Sequence, residues 1–191
     1  MSQDPPSQVP PTEYARWGNP ANYLAHWNHR SAFAAALCHD SKVICDIGAG
    51  AQTLRRLLPN KTYLPADLDV NLLTPDTVPC ELNLGNYPDA YLRRADTVTL
   101  LGVLEYLADD RIPALFTKLA EHCTILIFSY NPIDIADQDR SANGWVNGFT
   151  TGQLMELCSH AGFEVDHFQR IDNTQVLVRA RRERPTTNGS S

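Results

Sequence analysis

Three carboxylates and three glycines carry the chemistry that this chain can do. Asp46 opens the run Asp46-Ile47-Gly48-Ala49-Gly50, Asp67 stands 19 positions past Gly48 (67 − 48), Glu81 precedes Leu82, and Gly102 precedes Val103 and Glu105. A glycine has no Cβ, so Gly48 and Gly50 let a ligand approach bare backbone. A carboxylate about 20 residues beyond such a turn offers two acceptor oxygens to the vicinal diol of a ribose. Alone, Asp67 reads as an ordinary strand-end aspartate. In register with Asp46, Gly48 and Gly50, it reads as part of a nucleoside-binding site.

Those residues work together only if secondary structure brings them to one place. Val43-Ile44-Cys45 is a short apolar run, the pattern of a strand covered on both faces. After the glycines, residues 51–58 (AQTLRRLL) take helical spacing, with Leu54, Leu57 and Leu58 on one face. Further strands are expected at 61–66, at 78–82 with Pro79 marking an edge position, at 97–101 and at 124–129. A helix is expected over 108–122, with Pro113 acceptable only in its first turn. Thr150 is expected to cap a helix that Gly162 stops. Residues 163–171 and 174–180 then read as a hairpin across Asp172-Asn173. Alternating strands and helices imply a mostly parallel seven-stranded sheet with helices on both faces and a C-terminal antiparallel hairpin strand. Ligands of such sheets bind beyond the carboxyl ends of the strands, where all the residues named first would fall.

The 191 residues suffice for one core, and 43% hydrophobic content predicts a folded chain. A formal net charge of −6 argues against nucleic acid as the partner. Cys38, Cys45, Cys80, Cys123 and Cys158 are scattered singly, without metal-site spacing, which reads as buried free thiols in a reducing cytoplasm. No apolar stretch approaches the length of a membrane span, and the start lacks the pattern of a signal peptide. Residues 1–11, rich in proline and serine, are expected to be a disordered leader. Residues 12–180 would be a single domain opening with a helical lid at 12–40, and 181–191 a disordered tail.

The segments VICDIGAG, YLPADLD, CELN, TLLGVLEYLAD and FTTGQLMELCSHAGFEV together resemble the class I S-adenosylmethionine-dependent methyltransferases, whose Rossmann-like fold would cover residues 14–180. The resemblance implies S-adenosyl-L-methionine as cofactor and S-adenosyl-L-homocysteine as product. It also implies roles for single residues. Asp46 would order the loop and, with the backbone near Gly48, receive the methionine amino group. Ala49 and Gly50 would let backbone meet the cofactor. Asp67 and Leu68 would close on the ribose, Glu81 and the Leu82 backbone on the adenine, and Gly102 and Val103 on the methionine end. Many members of the family carry histidine where this chain has Tyr106.

A methyl group on a sulfonium is already activated, so a base is needed only where the acceptor must lose a proton. Tyr106, His26, His29 and Glu105 are the candidates for that base, none stands out, and a structural role suits each of them better. Tyr14, Trp17, Trp27, Arg30, Tyr130 and Trp145 would form the acceptor pocket, whose aromatic rim suits a small molecule, sugar or biosynthetic intermediate. Oxygen and nitrogen acceptors stay equally open. Asp134, Asp137 and Asp139 read as a solvated acidic loop and not as a metal site. Two rival readings are a binding or scaffolding domain that keeps the fold without chemistry, and a nicotinamide-dependent oxidoreductase. The latter wants a third glycine where this chain has Thr53.

Overall fold

A computed structural model describes residues 14–17, 19, 27–68, 74–135 and 138–182. The described elements are α1 (Tyr14–Trp17), α2 (Trp27–Leu37), β1 (Val43–Ile47), α3 (Thr53–Leu57), β2 (Thr62–Asp67), β3 (Val78–Pro79), α4 (Asp89–Leu92), β4 (Thr97–Leu101), α5 (Arg111–Ala120), β5 (Ile125–Tyr130), α6 (Thr151–His160), β6 (Glu164–Arg170) and β7 (Val176–Arg181). Short 3-10 turns cover Leu82–Leu84 and Leu104–Tyr106. The strands form one sheet in the order β3-β2-β1-β4-β5-β7-β6. The first five run parallel, and β7 is antiparallel to both its neighbours. The expected mostly parallel sheet with a closing antiparallel hairpin is thus present.

Alternation along the central strands supplies two cores. Cys45, Ile47, Leu126 and Phe128 pack on one face with Ile112, Leu115, Phe116 and Leu119 of α5. Ile44, Ile125 and Ile127 pack on the other with Ala34 of α2 and Leu54 of α3. Successive side chains on a strand point to opposite faces, so an unbroken apolar run is what a doubly covered strand requires. Each large apolar side chain on α5 contributes about 1.5–3 kcal/mol when fully buried. Pro113 is the third residue of α5, inside the first turn, where its missing N–H costs nothing.

Local chemistry explains several boundaries. Thr150 accepts from the Gln153 backbone while the Gln153 side chain accepts from the Thr150 N–H at 2.8 Å, a capping box at the head of α6. Gly162, at φ 80°, follows its end.

Other boundaries correct the expectations. The third strand is only Val78–Pro79, because the chain turns into the 3-10 segment as soon as Cys80 has donated to the Asp67 carbonyl. The helix after the glycine loop starts at Thr53, since Gln52 adopts a left-handed φ of 52°. The hairpin turn is not the two residues Asp172-Asn173. It spans 171–175, closed by the Ile171 N–H on the Gln175 carbonyl at 2.9 Å and tightened by Asp172 Oδ1, which accepts from the N–H groups of Thr174 and Gln175. The final strand runs through Arg181, one residue past the expected domain end. Arg179 and Arg181 both donate to Asp166, and Arg181 also to Asp40, so Arg181 is a strand residue and not part of a tail. Residues 1–11, His26, Asp137 and 183–191 lie outside the described residues.

Candidate active site

The carboxyl ends of β1, β2 and β4 and the segment after β3 open into one cleft of about 1470 Å³. Asp46, Gly48, Ala49 and Gly50 line it, as do Asp67 and Leu68, Glu81 and Leu82, and Gly102 and Val103. Their convergence follows from the strand order. β1 lies between β2 and β4, so three strand tips meet where the sheet changes its direction of winding.

Backbone geometry requires two of the glycines. Gly48 sits at φ 73°, and a Cβ there would come within 2.4 Å of Val103 Cγ2. Gly102 sits at φ 71°, and a Cβ there would come within 2.4 Å of Arg30 Nη1. The Gly102 N–H donates to Ser129 Oγ at 2.8 Å, which fixes that turn to the tip of β5. Asp67 organises the glycine loop itself. Its Oδ2 accepts the Gly50 N–H at 2.5 Å and its Oδ1 the Leu68 N–H at 2.7 Å.

Asp46 is 4% exposed. Thr99 Oγ1, directly across the β1–β4 register, donates to its Oδ1 at 2.5 Å, and the Tyr63 hydroxyl donates to its Oδ2. Burial pushes its pKa up to about 6 against those hydrogen bonds, with Asp67 adding to the rise and Arg30 opposing it.

Glu105 presents the contrasting case. It is 0% exposed, Oε1 accepts from Asn131 Nδ2 at 2.7 Å, and Oε2 finds no hydrogen-bond partner among the described residues. Burial raises its pKa, while Asn131, Arg30 and Arg140 pull it back.

The remaining sequence candidates divide. Trp17, His29, Arg30, Tyr106 and Trp145 line the cleft. Trp17 packs edge-on to Tyr106 with ring centroids 4.7 Å apart, and Trp145 Nε1 donates to the Tyr106 hydroxyl at 3.2 Å, so the three form an aromatic rim. Burial lifts the Tyr106 pKa to about 12, which keeps its phenol protonated. Tyr14 lies outside the cleft lining but donates to Glu81 Oε2 at 2.7 Å. Trp27 begins α2, and its side chain is outside the described residues, as is His26.

Tyr130, expected in the acceptor pocket, is a correction. It ends β5 at 0% exposure, its hydroxyl donates to Asn147 Oδ1 at 2.5 Å, and it accepts from the Phe149 N–H at 2.9 Å. It therefore anchors the 131–150 loop from beneath. All five cysteines are buried and free, and burial raises their pKa values, to about 12 for Cys38, Cys123 and Cys158.

Several residues of the site carry no sequence signal of their own. Arg140 donates to the carbonyls of Asn147 (2.5 Å) and Asn131 (2.9 Å) and to the Tyr130 hydroxyl (3.2 Å). Asn83 bridges the turns after β3 and β4, donating to the Tyr106 carbonyl and accepting from the Ala108 N–H. Gln52 donates to Thr74 and Thr77 at 3.0 Å each. Thr99 alone was findable, because a polar residue in a buried strand opposite Asp46 needs a partner. Among the described residues no group of acidic, histidine or cysteine side chains is placed to hold a metal, and no helix is long and apolar enough to cross a membrane.

No protein-family model and no curated protein matches the chain. Solved structures do. Human N-acetylserotonin methyltransferase in complex with SAM aligns at TM-score 0.66 and 17% identity, over 87% of this chain and 55% of that one. The magnesium protoporphyrin IX methyltransferase of Synechocystis PCC 6803 with bound SAM aligns at TM-score 0.63 and 15% identity, over 90% and 92% of the two chains. The N,N-8-amino-8-demethyl-D-riboflavin dimethyltransferase of Streptomyces davawensis aligns at TM-score 0.61 and 16% identity, over 85% and 56%. This chain thus spans little more than half the length of the first and third of these. It has the fold of the class I S-adenosylmethionine-dependent methyltransferases.

Proposed function

We propose that the cleft binds S-adenosyl-L-methionine and that the chain transfers its methyl group to a nitrogen or oxygen of a small molecule. The observation that carries this reading is the meeting of the glycine loop, Asp67, Glu81 and Gly102 in one cleft at the tips of parallel strands. The residues present fit such a ligand. The loop backbone at Gly48 leaves no room for a side chain, the Asp67 carboxylate lines the cleft beside that loop as an acceptor for ribose hydroxyls, and Glu81 and Leu82 line it as acceptors for an adenine amine. The solved neighbours, by their names, methylate small molecules, and two of those described were crystallised with SAM.

Bound S-adenosylmethionine would supply a sulfonium-activated methyl group for in-line displacement. The chain's part is to position. Asp67 orients the ribose, the Gly102 turn holds the methionine end, and the rim of Trp17, Tyr106 and Trp145 confines the acceptor and excludes water. Positioning of this kind contributes up to about 7–11 kcal/mol to lowering a barrier. A phenol held protonated makes Tyr106 a hydrogen-bond donor to the acceptor and not its base. Residues 12–180 act as one unit in this reading, with 12–40 covering the cleft. Five unpaired buried thiols suit the reducing cytoplasm.

Calorimetry with S-adenosylmethionine, S-adenosylhomocysteine and a nicotinamide dinucleotide tests the reading, followed by a screen of small-molecule acceptors for S-adenosylhomocysteine release. Binding of both adenosyl ligands is expected, with at least a tenfold loss in Asp67→Ala, since that carboxylate both meets the ribose and holds the Gly50 N–H. Nicotinamide binding in place of adenosyl binding would point to an oxidoreductase. Adenosyl binding without turnover of any acceptor would leave a binding module.

A further inference from the structure

Beside its aromatic rim the cleft holds a carboxylate that the reading above leaves unused. Glu105 is 0% exposed, Oε1 accepts from Asn131 Nδ2 at 2.7 Å, and Oε2 has no hydrogen-bond partner among the described residues. Arg30 of α2 and Arg140 of the 131–150 loop both favour its charged form, yet neither supplies the missing bond. A buried acceptor left without a hydrogen bond is costly, so this oxygen points to a donor that arrives with a ligand. The rim stands next to it. Tyr106 follows Glu105 in the chain, and the Val146 N–H donates to the Glu105 carbonyl at 2.9 Å, which brings Trp145 alongside. Indole faces attract cations, and two of these already do: Arg140 lies 4.8 Å from the Trp145 centroid and Arg16 5.5 Å from that of Trp17. Six carboxylates (Asp46, Asp67, Glu81, Glu105, Asp139 and Asp172) and three arginines line the cleft among the described residues, so its field draws a positive ligand.

We propose that the methyl acceptor is an amine, met as its ammonium, and that Glu105 Oε2 accepts its N–H while the rings of Trp17, Tyr106 and Trp145 flank its organic part. The proposal rests on the cleft being the S-adenosylmethionine site, and it narrows the acceptor atom from nitrogen or oxygen to nitrogen. A hydroxyl would satisfy the hydrogen bond of Oε2 but not its charge, and an anion would be repelled. Oε2 shows no surface to water, so the ammonium reaches it as the rim side chains part. The contact then forms out of water, where a charge-assisted hydrogen bond is strong. The nitrogen must next shed a proton to expose its lone pair, and Oε2 is the base beside it. The N–H bond breaks, the proton goes to Oε2 and the electron pair stays on nitrogen.

The test titrates two aromatic amines, tryptamine and phenethylamine, against their alcohol counterparts, tryptophol and 2-phenylethanol, at neutral pH. Tryptophan fluorescence and calorimetry read binding to the wild-type chain and to Glu105→Gln, each with and without S-adenosylhomocysteine. Glu105→Gln keeps an oxygen to accept from Asn131 and should fold; thermal melts check this. In the wild type each amine is expected to bind about tenfold or more tighter than its alcohol, the range for a hydrogen bond to a charged group, and in Glu105→Gln that ratio should collapse toward one. Should Glu105→Gln melt below the assay temperature, Glu105→Asp withdraws the oxygen by one methylene and the same ratio decides. Alcohols bound as tightly as amines, an amine preference that survives in the variant, or no amine binding at millimolar concentration overturns the proposal. With S-adenosylmethionine added, the wild type is expected to methylate the amine it binds best, and Glu105→Gln to do so about a hundredfold more slowly. No methylation of any bound amine, or equal rates in the two chains, overturns the proton's transfer to Oε2. The S-adenosylhomocysteine titration is read separately: a wild-type chain that does not bind it overturns the reading of the cleft, whatever the amines do.

Discussion

On the glycine side of the cleft, Asp67 accepts from the backbone N–H groups of Gly50 and Leu68, and Gly48 and Ala49 donate to the Ala66 carbonyl. On the opposite side Glu105 is held by a side chain, Asn131, whose carbonyl is held by another, Arg140, which also reaches the Asn147 carbonyl and the Tyr130 hydroxyl. The first side is built from neighbouring strands and short turns. The second is built from side chains that bind across a long loop. Backbone contacts survive most single substitutions, whereas a relay of side chains fails at any one of its members. The two sides should therefore respond very differently to mutation.

The largest expected effect lies in the relay. Arg140→Ala leaves two carbonyls without this donor and removes a partner of a buried hydroxyl, and each such loss costs about 1–3 kcal/mol. We expect a destabilisation of about 4 kcal/mol in urea unfolding, with loss of the Trp145 environment in fluorescence, since the guanidinium also lies 4.8 Å from that ring's centroid. A change below about 1 kcal/mol would show that the 131–150 loop is held by packing, and the contrast between the two sides would disappear.

That contrast also explains what the sequence allowed. The glycine side was legible because its requirements are local: no Cβ at Gly48, an acid at or just past the ends of β1, β2 and β3, an apolar run for each doubly covered strand. The helix cap at Thr150 and stop at Gly162 were legible for the same reason. Glu105, Asn131, Arg140 and Asn147 were not legible as a group, because nothing in their spacing shows that residues up to 43 positions apart share hydrogen bonds, as the Asn147 amide and the Leu104 carbonyl do. Tyr130 was misplaced for that reason, an aromatic residue beside a loop reading as a pocket wall when the fold needs it underneath. Gln52 is a non-glycine residue at positive φ, and the tertiary bonds to Thr74 and Thr77 that help hold it there have no signal in local spacing.

A second, somewhat smaller effect lies on the glycine side. Asp46 has an ordinary pKa of 3.8 and is pushed up to about 6 in the fold. The native state then binds that proton more tightly than the unfolded chain does. Its contribution to stability is complete below about pH 4 and is lost as pH rises through about 6, on the order of 3 kcal/mol in all. The stability difference between the wild type and Asp46→Asn should therefore fall by about that amount between pH 4 and pH 6.5. A difference independent of pH would mean that Thr99 and Tyr63 compensate the burial fully, and that the acid is as well satisfied as Asp67.

Next in size is the capping box beneath the loop's far end. Thr150→Ala removes the acceptor for the Gln153 N–H and should cost about 1 kcal/mol, lowering the melting temperature by about 2–4 °C. Adenosyl-ligand affinity should not change, because α6 meets the opposite face of the sheet from the glycine loop's helix. A fall in affinity would show that the loop transmits strain to Glu105.

The smallest effect sharpens the comparison most, because it again involves an arginine making several bonds. Arg55 reaches Asp76 with both terminal nitrogens, at 3.1 and 3.0 Å, and steadies the 74–77 turn on which Gln52 rests. Its geometry is as good as that of Arg140, but both side chains are about 40% exposed, so water screens the pair and solvates whichever partner remains. Arg55→Ala should cost less than about 1 kcal/mol, and the difference should vanish in 1 M salt, whereas the cost of Arg140→Ala should persist there. Equal costs for the two arginines would mean that burial is not what separates them, and the division of the cleft into a backbone-held and a side-chain-held half would have to be abandoned.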